Sequence, residues 1–195
     1  MAVIQGLFQR FSHVIVQADS DTGTPGLTNE QYRDTGFNIL FFRHDQDDAM
    51  FVIADIAQHK KLGATLEQFH VHCIPMVDPS VSPQNVYFEV SYTWNLTGQE
   101  APAIASWTVT NVTMPIVTGD AFKIKHVHIL EGIPPPANET YGSTFMVLIK
   151  RLGTNILDTY NTNKAGGTGA ANLGLLSFGS IVPTDRLGSI NPTTD

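Results

Sequence analysis

Between Asn85 and Trp94 the chain alternates in steps of two: Phe88, Val90, Tyr92 and Trp94 fall on one side, and Tyr87, Glu89, Ser91 and Thr93 on the other. A strand turns successive side chains to opposite faces, so this spacing fits a half-buried strand and no helix. The first set is expected to face a core. Related patterns recur at Phe11–Gln17, Phe37–Phe42, Met50–Ala57, Leu66–Ile74, Trp107–Val117, Phe122–Leu130 and Gly142–Leu152, and Asn155–Tyr160 is a further segment expected to pair with a neighbour. Turn residues punctuate them: Thr24-Pro25-Gly26, Lys61-Leu62-Gly63, Pro75 and Pro79, Gly119-Asp120 and the run Pro134-Pro135-Pro136. Proline lacks the donor that a ladder needs, so these positions end strands.

The best helical segment, Asn29–Asp34 with Thr28 as a possible N-cap, spans under two turns and is too short to stand alone. Many strands at regular spacing with no amphipathic helix point to an all-β fold. The specific expectation is an antiparallel jelly-roll-like β-sandwich with extended N- and C-terminal arms. Its parts are an N-terminal strand and arm over 1–36, the sandwich over 37–160, and a C-terminal arm over 161–195.

The C-terminal segment opens on the glycine-rich Gly166-Gly167-Thr168-Gly169 and then carries Leu173, Leu175, Leu176, Phe178, Ile181 and Val182. Such a set is too apolar for a free tail. It reads as an inter-subunit arm on a glycine hinge, docking on its own sandwich or crossing to a neighbour.

With 42% apolar residues, the 195-residue chain can fill a core without staples. Charged residues make up only 15%, against a usual share of about a quarter. A surface so poor in charge suits contact with other protein. The net charge of −7 argues against nucleic acid and anionic membranes as partners. The single cysteine, Cys73, excludes an intrachain disulfide and suits assembly in a reducing cytoplasm. Cys73 follows Phe69 and Val71 on one side of its strand and reads as a small core residue. Its neighbour His72 points the other way and cannot activate it.

The sharpest chemical signal is a repeated His-x-His, at His70-Val71-His72 and His126-Val127-His128. Two residues apart in a strand, both imidazoles of a pair share a face. Two such strands side by side would offer a divalent ion such as zinc up to four nitrogen ligands. Ordinary hydrogen bonding or a subunit contact is the commoner role for a strand histidine, and is the expectation here. The metal reading requires both pairs to meet at one open site. No organic cofactor is expected. Asp45, Asp47 and Asp48 lack the glycine and terminal glutamate of an EF-hand loop and read as a turn. No nucleophile elbow, Walker loop or zincin motif occurs. Cupins also carry His-x-His after a glycine, as Gly63 precedes His70 here, but Cys73–Asp78 holds no glutamate and the later cupin motif is missing.

The order of motifs resembles another group. The stretch His59–His72, then Tyr87–Trp94, then Met146–Arg151 and Asp158-Thr159-Tyr160, with Asp185–Ser189 near the end, is similar to structural proteins of tailed bacteriophages. The resemblance implies a non-enzymatic virion protein with a jelly-roll body, made in the host cytoplasm. A capsid decoration (cement) or connector subunit is the leading role. It would form a homo-oligomer, a trimer being favoured, in contact with major capsid or tail proteins. The alternatives are a tail-fibre, receptor-binding or carbohydrate-binding module, for which Trp94, Trp107, Tyr87 and Tyr92 would form the sugar platform, and a metal-dependent jelly-roll enzyme.

Overall fold

The computed structural model describes residues 13–17, 27–31, 38–55, 63–140, 143–160 and 171–183. They form ten strands: β1 His13–Gln17, β2 Thr28–Gln31, β3 Asn38–Phe42, β4 Asp47–Asp55, β5 Leu66–Pro75, β6 Gln84–Asn95, β7 Thr108–Ile116, β8 Lys125–Ile133, β9 Thr144–Leu152 and β10 Leu173–Ile181. A single 3-10 turn, Ile104–Ser106, is the only helical element among the described residues. No described helix is long and apolar enough to cross a membrane.

The strands make two five-stranded sheets, in the orders β1-β4-β9-β6-β7 and β2-β3-β10-β5-β8, with antiparallel pairing throughout. The fold is therefore the expected all-β antiparallel sandwich. Alternation explains which side chains line it. In β6, Val86, Phe88 and Val90 are fully buried, and Tyr92 and Trp94 pack partly buried against the same core. In β9, Phe145, Val147 and Ile149 do the same, while in β5 Leu66, Phe69, Val71 and Cys73 face them from the second sheet. Aromatic contacts bridge the layers. The Phe42 ring meets that of Phe88 at 5.7 Å, and Phe69 meets Phe145 at 6.2 Å. Edge-on pairs of this kind add to plain area burial.

Three expectations are corrected. The segment from Leu173 onward is no crossing arm. As β10 it is the middle strand of the second sheet, hydrogen-bonded between β3 and β5 of its own chain. Leu173 and Leu175 are core residues, Phe178 stacks on Phe69 at 6.3 Å, Val182 packs on the core, and Ile181 is half-buried. Leu176 alone stays exposed, where the β10–β5 register shifts between Leu175 and Ser177. The reason is energetic: these apolar side chains complete a sheet already present in the same chain, which satisfies their backbone groups as well. The glycine run that suggested a hinge lies outside the described residues, as do most of the N-terminal residues read as an arm.

The second correction is Asn155–Tyr160, which is no strand. Its turns return the chain to β6, where the Thr159 and Tyr160 amides both donate to the Asn85 carbonyl, at 2.8 and 2.9 Å. The third is the start of β8. Phe122 sits in a turn at φ 61°, a left-handed backbone unusual for a bulky residue, and the strand begins only at Lys125. The short segment from Thr28, weighed as a helix, is extended as far as Gln31.

Candidate metal centre

The strand rule that buries Phe69, Val71 and Cys73 sends His70 and His72 to the outer face of the second sheet. On β8, Val127 goes inward and His126 and His128 outward. The register then decides the matter. β5 and β8 are antiparallel neighbours with His70 opposite His128, Val71 opposite Val127 and His72 opposite His126. Directly opposed residues share a face, so four imidazoles gather on one patch. The meeting of both pairs that the metal reading requires is present in this register.

His126 is the hub. Its ring lies 4.2 Å from that of His70, 4.9 Å from that of His72 and 4.9 Å from that of His128, centroid to centroid. His70 and His72 are 5.2 Å apart. One nitrogen from each of His70, His72 and His126 lies within 4.8 Å of the other two. Zinc–imidazole bonds are about 2.0–2.1 Å, so ligand nitrogens around one ion stand roughly 3–4 Å apart, and small ring rotations close the difference. Three histidines with a fourth position open is a donor set that zinc and other borderline ions accept.

The surroundings orient the rings. His72 Nδ1 is 2.9 Å from the Ser177 hydroxyl on β10, and His128 Nδ1 is 2.7 Å from the Glu131 carboxylate. The Gln68 amide nitrogen also lies 2.8 Å from His128 Nδ1. These contacts are to side chains rather than to the backbone, and they are of the kind that fixes a metal ligand's tautomer. Burial holds the His126 pKa below its ordinary value, helped by the neighbouring His72 and His128 rings. A neutral imidazole is the form that binds a metal.

The remaining candidates have other occupations. Cys73 is buried at the core, and burial pushes its thiol up to about 12. Asp48 is fully buried and ion-paired with Arg43, while the Asp47 carboxylate accepts from Thr154. Trp107 is buried beside Phe51, its indole N–H donating to the Pro102 carbonyl at 3.0 Å. Trp94 packs against Phe145, with ring centroids 5.0 Å apart. Tyr87 stands half-buried on the outer face of the first sheet. Ser177 and Gly179, which abut the histidines, were invisible as site residues. Only their place in β10 reveals them, and nothing local marks that place.

No family model and no curated protein matches the chain. Among solved structures it is similar to a carbohydrate-binding module, TmCBM61 in complex with β-1,4-galactotriose, at 9% identity and a TM-score of 0.39, covering 89% of this chain and 91% of that one. It is also similar to a non-crystalline-cellulose-specific carbohydrate-binding module, CBM28, at 11% identity and a TM-score of 0.40, covering 87% and 88%.

Proposed function

We propose that the chain is a non-catalytic binding module that holds one divalent transition ion on the outer face of its second sheet, through His70, His72 and His126. The observation that supports this reading is the convergence of their ring nitrogens within 4.8 Å. These histidines come from two strands more than fifty residues apart, in a register that also serves the core. Zinc is the natural probe. Protein loaded with zinc and desalted should retain about one ion per chain, and His72→Ala should lose it. Elemental analysis that finds no stoichiometric metal overturns the reading.

The resemblance of residues 58–160 to virion proteins of tailed bacteriophages supports a setting for such a module as a repeated structural subunit of a particle. With β10 built into its own sheet, contact between subunits falls to exposed surfaces rather than to an exchanged arm. Imaging of labelled particles tests that setting.

A second reading, sugar binding, has its own support on the first sheet. There Tyr87 lies opposite Thr113, and Glu89 lies opposite both Asn111 and Lys150, all partly or fully exposed on the outer face. A phenol ring among hydrogen-bonding side chains suits a saccharide. A glycan array that stays silent, or binding unchanged by Tyr87→Ala, counts against it.

A further inference from the structure

β10 supplies none of the three histidines, yet it runs beside β5 with Ser177 opposite His72 and Gly179 opposite His70. Both therefore lie on the outer face, directly against the metal centre. A Cβ placed on Gly179 would clash with His70 Nε2 and come 2.6 Å from Cε1 and 3.2 Å from Cδ2. All three atoms belong to the outer end of one imidazole, so the tip of the His70 ring occupies the space a side chain would need. Gly179 is not in the left-handed region, so its backbone has no need of a glycine. The demand comes from the ring alone.

At the other ligand, the Ser177 hydroxyl sits 2.9 Å from His72 Nδ1. With Nδ1–H donating to that oxygen, the lone pair of His72 is on Nε2, the far side of the ring.

Resting on the metal reading above, we propose that β10 is the positioning strand of this centre. Gly179 forms the slot that receives the His70 ring, and Ser177 fixes His72 so that it coordinates through Nε2. An alanine at position 179 would meet a flexible ring rather than backbone. The ring swings aside, the sheet stays closed, and the ligand is lost from its place.

Cobalt(II) tests this, because its visible absorption reports ligand number and geometry. The proteins compared are wild type, Gly179→Ala, Ser177→Ala, His70→Ala and the double variant His70→Ala/Gly179→Ala. Gly179→Ala and Ser177→Ala should each weaken cobalt binding roughly 10–100-fold, the usual effect of disturbing the residues that orient metal ligands. Gly179→Ala should also change the cobalt spectrum, while its metal-free melting temperature stays near that of wild type. In the His70→Ala background the glycine substitution should have no further effect, since its action passes through that ring. Ser177→Ala adds no atoms and so tests the strand's role even if the alanine at 179 impairs folding.

The positioning role is overturned alone if wild type binds cobalt and either variant binds it as tightly. It is also overturned if Gly179→Ala weakens the His70→Ala protein as much as wild type. Wild type that takes up no cobalt overturns the metal reading, and this role with it.

Discussion

Arg151 donates from Nε and Nη2 to the two carboxylate oxygens of Asp158, at 2.8 and 2.9 Å, with both side chains wholly removed from solvent. The same guanidinium also donates to the carbonyls of Tyr160, Ala171 and Phe42, at 2.7, 3.0 and 3.3 Å. Its five N–H groups are thereby all engaged. One side chain ties the end of β9 to the returning turn, to the entry of β10 and to the end of β3. Removing either partner leaves a buried charge uncompensated, so Asp158→Ala should destabilise the fold by ~3–5 kcal/mol in urea unfolding. A loss under about 1 kcal/mol would show that water enters this site freely.

Metal should stabilise the folded chain by linkage. Zinc at about a hundred times its dissociation constant adds roughly 2.7 kcal/mol, and a chelator should reverse the rise in melting temperature. His126→Ala removes the ring that touches the other three and should abolish the response. A chelator effect that survives in this variant would place the ion elsewhere.

Leu173 is fully buried in the centre of the second sheet. Leu173→Ala should cost ~2–5 kcal/mol of the chain's own folding stability, the range for large-to-small core changes. A variant that keeps wild-type stability but loses self-association would instead restore the crossing-arm reading.

The Cys73 thiol, fully buried with its pKa pushed up to about 12, stays protonated at physiological pH. Thiolate is the reactive form, so a disulfide reagent at pH 8 should leave native protein unmodified and label it on unfolding. Stoichiometric labelling of the native state within seconds would show that the second sheet opens on that timescale.

Much of the fold was legible because period-2 patterning is local. Val90 and Phe88 declare their face within β6 without reference to any other strand. Pairing is not local. That His70 stands across from His128, and Gly179 across from His70, depends on registers between segments separated by roughly sixty and a hundred residues. The four histidines were therefore visible as residues but not as one patch. The β10 segment misled for a related reason. The glycine run at 166–169 before it suggests a hinge, and Gly174 and Gly179 within it give no strand signal. In the sheet those glycines make room, for Ile39 and Phe41 in one case and for His70 in the other. Phe122 failed differently, since nothing in its neighbourhood announces a left-handed turn at a phenylalanine.

The place of β10 also dictates an order of events during synthesis. The first sheet has all its strands once Leu152 has left the ribosome. The second then consists of two separate hairpin-like pairs, β2 with β3 and β5 with β8, with nothing between them. Until Leu173–Ile181 emerges, the facing edges of β3 and β5 carry unpaired backbone groups beside Phe42 and Phe69. A nascent chain paused in that interval offers another chain a vacant strand position, the kind of edge from which misassembly starts. Strand β10 thus acts as the closing stitch, and the speed with which it arrives governs how long the gap stays open.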